Sequence, residues 1–122
     1  VLTDLNPEWL KEAKEEFVKT FNKDIVADTL LDVTKADSIA EAYKKAALSF
    51  GGVDIIVNCA GLAISKPIDQ TEEKDWDLLY DVLVKGQFLV SKAGVEILRK
   101  QKLGGDIINI ASKNGLVSGP NN

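Results

Sequence analysis

Gly51-Gly52-Val53-Asp54-Ile55-Ile56-Val57-Asn58-Cys59-Ala60-Gly61 is the stretch that decides the fold. It opens on a glycine pair that stops a helix, continues as a short apolar run, and closes on small or polar residues. The run from Val53 to Val57 is a short continuous apolar stretch rather than a strict alternation, the mark of a strand covered on both faces. Just upstream, after Thr34, Ile39, Ala42, Tyr43, Ala46, Ala47 and Phe50 repeat at the spacing of an amphipathic helix.

Working outward, Ile25 to Leu31 is rich in β-branched and aliphatic residues and predicts a preceding strand. Before it, Asn6 is placed to cap a helix with Pro7 at its first position, where a missing N–H costs nothing. Leu10, Ala13, Phe17 and Phe21 carry that helix to about Asn22, and Val1 to Leu5 reads as the end of a strand. Downstream, Thr71 is the expected cap of a long helix reaching about Lys100, with Trp76, Leu79, Tyr80 and Leu83 on one face. Gly104-Gly105 then leads into a third apolar run, Asp106 to Ala111, and Gly119 to Asn122 has the composition of a loop. Strand and helix alternate throughout. The expected fold is therefore α/β, a doubly wound parallel sheet between helices.

Composition removes whole classes of function. The chain has 122 residues, 45% hydrophobic and 28% charged, which is one ordinary globular domain rather than a disordered segment. It holds one cysteine and no histidine, so a disulfide scaffold, a Ser-His-Asp triad and a His-ligated zinc are excluded. A net charge of −4 argues against nucleic acid and anionic membrane as partners. No apolar stretch approaches the ~20 residues that span a bilayer, and no signal peptide opens the chain. A cytoplasmic location is the expectation.

In an open parallel sheet, ligands bind beyond the carboxyl ends of the strands. The residues there are Asp4, Asp32-Val33, Asn58-Cys59-Ala60-Gly61 and Ser112-Lys113-Asn114, all but Val33 and Lys113 small or polar. Each has a bland alternative. Asp4 can be a turn former, Gly61 can serve a turn that needs positive φ, and Ser112 can cap a local turn. Their shared register at the ends of four consecutive strands is what raises them above those alternatives.

The stretch Gly51 to Gly61 closely resembles the strand-plus-N-N-A-G segment of short-chain dehydrogenases/reductases. Asp32-Val33 lies upstream at a matching distance, Asn109-Ile110-Ala111-Ser112 resembles the strand end that delivers the family's serine, and Asp81 to Val90 resembles its central helix. The resemblance covers essentially the whole chain. Val84-Lys85-Gly86-Gln87-Phe88 with Ser112-Lys113-Asn114 is most similar to one branch, the dehydrogenase part of bifunctional rhamnulose-phosphate aldolase/lactaldehyde dehydrogenases.

The resemblance implies hydride transfer between NAD and a small alcohol or aldehyde. Asp4 would bind the adenosine ribose and disfavour NADP; Asp32 and Val33 would meet the adenine; Asn58, Ala60 and Gly61 would admit the cofactor and steady the sheet. Ser112 would hydrogen-bond the substrate oxygen. Lys113 and Asn114 would reach substrate or cofactor, or else lie solvated at the surface. Cys59 replaces the motif's second Asn and is expected to be buried and inert. Leu83 replaces the Asn that many members carry on the central helix, which puts their proton relay in doubt.

The family's T-G-x-x-x-G-x-G turn and Tyr-x-x-x-Lys pair find no match, so residues 1–122 read as the central segment of a longer dehydrogenase domain, inactive alone. By the doubly wound order, a strand would be missing between the first and third strands here. The segment alone is then expected to be marginal, surviving by direct pairing of those two strands, by self-association, or because the missing parts of the protein are present alongside it. A dimer or tetramer is expected of the intact protein. The alternative from another class is a non-catalytic flavodoxin-like binding or signalling module, which fits poorly because Asp54 sits inside its strand.

Overall fold

The computed structural model describes residues 1–117. The loop-like stretch expected from Gly119 to Asn122 lies outside them. Strand β1 (Leu2–Asp4) leads into α1 (Pro7–Thr20), β2 (Asp28–Leu30), α2 (Ala36–Phe50) and β3 (Ile55–Asn58). A helical rod follows, α3 (Glu73–Tyr80), a π-helical segment at Asp81–Gly86, and α4 (Gln87–Gln101), before β4 (Asp106–Asn109).

Local chemistry explains most boundaries. Asn6 caps α1 through its Oδ1, which accepts the N–H groups of Glu8 and Trp9, and Pro7 stands at the first turn as expected. Gly51 ends α2 in the left-handed region, φ +83°, where a side chain would be strained. Two expectations shift. Lys23–Ile25 forms a 3-10 turn, capped by Asn22, so β2 is shorter than the apolar run that announced it. The cap of α3 is Glu72, not Thr71: its side chain accepts the Asp75 N–H while the Asp75 carboxylate accepts the Glu72 N–H. The Thr71 hydroxyl donates instead to the Pro67 carbonyl.

The strands form two separate parallel pairs, β1 with β2 and β3 with β4. The registers are Thr3 opposite Thr29 and Ile56 opposite Ile107. β1 and β3 do not pair, so the expected gap persists and direct closure across it does not occur. Helices α2 and α4 pack on each other, and Ile39, Ile56, Val90 and Leu98 form the main core. Leu10 of α1 is buried outside that cluster, against the β1–β2 pair.

Glycines set the closest approaches. A Cβ on Gly94 would overlap Ile56 and stand 2.6 Å from the Tyr43 Oη; on Gly86 it would stand 2.7 Å from Val33 Cγ2. α4 therefore rests directly on β3, and the π segment rests on the loop after β2.

The chain buries little for its size. It exposes 9032 Å², whereas a compact monomer of 13.3 kDa exposes about 6,500 Å². Ile55, Val57, Ile108 and Ile110 are bare on one face of β3–β4, and Trp76, Tyr80 and Leu83 are exposed on the rod rather than packed. Among the described residues, no helix is long and apolar enough to cross a membrane.

Candidate active site

The unpaired edges of β1 and β3 wall a cleft of about 1310 Å³. Asp4, Asp32, Val33, Asn58, Ala60 and Gly61 all line it, so residues at or just beyond the carboxyl ends of three strands converge as the sheet geometry demands. Ser112 does not line it. It follows β4, which pairs with β3, and Ile110 just beyond β4 donates its N–H to the Asn58 carbonyl, so the approach to Ser112 is fixed directly to the strand carrying Asn58.

Each carboxylate already has local work. Asp4 Oδ1 accepts the Asn6 N–H at 2.7 Å, the turn-former role, and Asn6 in turn caps α1. Asp32 Oδ1 accepts the Thr34 hydroxyl at 2.7 Å and its N–H at 2.9 Å, which holds the carboxyl below the usual carboxylate range. The Asp32 N–H donates to Ser38 Oγ, tying the end of β2 to the first turn of α2. In both residues Oδ2 accepts no hydrogen bond among the described residues.

Asn58 is the most constrained polar residue of the cleft, only 5% exposed. Its amide donates to Ser91 Oγ at 2.9 Å and to Asn109 Oδ1 at 2.7 Å. One side chain thereby joins β3, α4 and β4 at the strand ends. The sequence reading gave Asn58 a steadying role but missed Ser91, whose signal was a hydroxyl between Val90 and Gly94 on the helix face that meets the sheet. Tyr43 braces the same interface by donating to the Val90 carbonyl, and burial pushes its phenol up to about 12.

Gly61 does not owe its place to backbone conformation. Positive φ among the described residues occurs at Gly51, Lys102, Gly104 and Gly105 instead. Its nearest side chain is Leu83, 3.4 Å from where a Cβ would sit. Cys59 corrects the sequence reading: it is exposed on the wall of the cleft rather than buried. Ser112 Oγ accepts the Asn114 N–H at 3.2 Å, the local cap foreseen as its bland alternative, and Ser112, Lys113 and Asn114 are exposed. Beyond β3, Lys66 and the well-covered Asp75 form an ion pair that anchors the connecting loop to the first turn of α3.

A family model described as short chain dehydrogenase matches residues 1–122. The oxidoreductase YuxG of Bacillus subtilis is 37% identical over 121 residues, covering 99% of this chain and 18% of that protein. An oxidoreductase of Staphylococcus aureus is 34% identical over 105 residues, covering 86% of this chain and 45% of the relative. Among solved structures, sorbitol-6-phosphate 2-dehydrogenase SrlD of Erwinia amylovora superposes with a TM-score of 0.88 at 28% identity, over 98% of this chain and 47% of that one. LigO of Sphingobium gives 0.86 at 30% identity, over 98% and 43%. The chain thus spans less than half the length of each of these proteins.

Proposed function

We propose, from the premise that this chain belongs to the short-chain dehydrogenase family, that residues 1–122 are the central segment of an NAD-dependent dehydrogenase domain acting on a small alcohol or aldehyde. The observation that carries the cofactor assignment is the convergence of Asp4, Asp32 and Asn58 on one cleft, at or just beyond the carboxyl end of a parallel strand in each case. Asp4 keeps one carboxylate oxygen for a pair of ribose hydroxyls, and its charge repels a 2′-phosphate, which favours NAD over NADP. Asp32, held ionised by Thr34, has an oxygen left for the adenine amino group, with Val33 beside it. Ala60 and Gly61 present no bulk and admit the nicotinamide ribose.

The bound dinucleotide supplies the hydride acceptor. Ser112 Oγ would release its cap on Asn114 and donate to the substrate oxygen, stabilising charge as the hydride leaves. The 122 residues contain neither a Tyr-x-x-x-Lys pair nor a T-G-x-x-x-G-x-G turn, so they bind and position without moving the proton, and alone they support no turnover.

Lactaldehyde is the substrate we favour within this class. Its support is the likeness of Val84 to Phe88 and Ser112 to Asn114 to the bifunctional aldolase–dehydrogenase branch. The length of YuxG agrees, since nearly this whole chain occupies only 18% of it, as a second catalytic unit would require. A cytoplasmic dimer or tetramer completes the proposal for the intact protein. The flavodoxin-like alternative has no such convergence of matches in its favour.

The test uses the adenosine half of the cofactor. Titration of this chain with 5′-AMP and with adenosine 2′,5′-bisphosphate should show at least about tenfold preference for the former, lost in Asp4→Ala. Equal binding of both with Asp4 intact refutes the NAD assignment. Turnover of NAD with lactaldehyde by residues 1–122, abolished by Ser112→Ala, refutes the division of labour.

A further inference from the structure

Two polar side chains are buried among the described residues, Asn58 and Asp75. They stand at opposite ends of one connection, which leaves β3 along the cleft and arrives at the first turn of α3. Asn58 holds its end through Ser91 and Asn109. Asp75 holds the other, where a single carboxylate oxygen, Oδ2, accepts both the Lys66 ammonium and the Glu72 N–H. Asp75 is only 7% exposed, and a carboxylate so covered is costly without a cation, so releasing Lys66 would strand its charge. That penalty makes the pair a firm anchor, unlike the exposed Lys44–Glu41 and Lys85–Asp81 pairs.

The chain between the anchors has two parts. From Gly61 to Lys66 burial alternates: Leu62, Ile64 and Lys66 are half-buried, whereas Gly61, Ala63 and Ser65 are exposed. Period two is the pattern of extended backbone, which rises about 3.3 Å per residue, so this part is a strut with little slack. From Pro67 to Thr71 the chain closes on itself. The Pro67 carbonyl accepts the Gln70 N–H and the Thr71 hydroxyl, and the Thr71 N–H donates to the Ile68 carbonyl. A displacement of Lys66 therefore passes along the strut to Leu62 and Gly61, which line the cleft.

We propose, resting on the reading that Gly61 admits the nicotinamide ribose, that Lys66 and Asp75 are positioning residues for the nicotinamide end of the cofactor. Their ion pair sets where the strut carries Gly61 and Leu62 on the cleft wall. Neither Lys66 nor Asp75 lines the cleft, so both act through the strut and not by contact. The adenosine end is independent of them, because Asp4 and Asp32 take their geometry from Asn6 and Thr34. Loss of the pair weakens the hold on one half of the dinucleotide and spares the other.

The test compares NAD with 5′-AMP by isothermal titration of the 122-residue chain. The unsubstituted chain should bind NAD at least about fivefold more tightly than 5′-AMP. Lys66→Met and Asp75→Asn should each remove that advantage while changing the 5′-AMP constant by less than about twofold, and Lys66→Arg should keep it. The double variant should do no more than either single one, since both break the same link. Melting separates positioning from simple support. Lys66→Met strands the Asp75 charge and should melt lower than Asp75→Asn, which removes that charge, yet the two should lose the NAD advantage equally. NMR order parameters at Leu62 to Ile64 should fall from about 0.85 to below about 0.6 in both, with Ile56 unchanged. An NAD advantage kept in either single variant, equal weakening of both ligands, a loss that tracks the melting temperature, or unchanged order parameters overturns the inference and leaves the proposed function standing. So does an unsubstituted chain that binds 5′-AMP and NAD equally. A chain that binds neither ligand refutes the cofactor assignment, and the inference falls with it.

Discussion

Replacing Gly94 with alanine sets two effects of opposite sign against each other. Alanine in a helix interior is favoured over glycine by about 1 kcal/mol, so propensity alone predicts stabilisation. The structure predicts the reverse. The new Cβ would overlap Ile56 Cδ1 and stand 2.6 Å from Tyr43 Oη, both on elements that cannot retreat freely. Ile56 is 7% exposed within the core, and Tyr43 is held by its bond to the Val90 carbonyl at 2.8 Å. Overpacking of this kind costs about 1–3 kcal/mol, and loss of the Tyr43 bond adds about 1 kcal/mol. Net destabilisation of about 1–3 kcal/mol should result. With a urea dependence near 1 kcal/mol per molar for a chain this small, the midpoint followed by circular dichroism at 222 nm should fall by about 1–3 M. Adding Ile56→Val removes the overlapping methyl. Although that change alone costs about 1 kcal/mol, the double variant should be more stable than the sum of the two, with a coupling of about 1 kcal/mol. An unchanged or raised midpoint in Gly94→Ala, or strict additivity in the pair, refutes the close packing of α4 on β3.

Asn58→Leu should destabilise by about 2–4 kcal/mol in the same assay, because it orphans Asn109 Oδ1 as well as removing two bonds, whereas Ser91→Ala should cost about 1 kcal/mol. Equal effects would show that the buried amide is not the organising group. Acid stability tests the depressed carboxyls. Asp32, through Thr34, and Asp75, through Lys66, have folded values below their ordinary 3.8, so their contribution is complete above that value and is lost as pH falls through the lower one. The melting temperature should be flat between about pH 5 and 9 and drop below about 3.8; Thr34→Val should soften the acid drop, and an identical profile in that variant counts against the Asp32 assignment.

The helices and the order of strands were legible because they rest on local signals. Asn6-Pro7 at the start of α1, Gly51 at the end of α2 and the spacing from Ile39 to Phe50 each encode a boundary in adjacent residues. What was not legible depends on partners distant in sequence. The π segment at Asp81–Gly86 ends where Val33 closes on a bare Gly86, and a helical periodicity carries no trace of that meeting. Thr71 is chemically as good a cap as Glu72, and the choice falls to the reciprocal pair that Glu72 makes with Asp75, itself pinned by Lys66. Cys59 was expected to be buried because small residues after a buried strand usually are; the unpaired edge of β3 leaves it open.

The site follows from the same division between local and distant terms. Asp4 and Asp32 are set by bonds within two residues of themselves, to Asn6 and Thr34, and would keep those turns even if the rest of the chain shifted. Asn58 and Ser112 belong to the other strand pair, where position depends on the Asn58–Ser91–Asn109 junction and on β4. Among the described residues no strand hydrogen bond connects the two halves; α2 spans them, packing on β2 and on α4. The distance between the Asp4 and Asp32 carboxylates and the Ser112 hydroxyl is therefore the least constrained quantity in the site. Any ligand long enough to touch both halves fixes that distance by adding contacts that neither half makes alone.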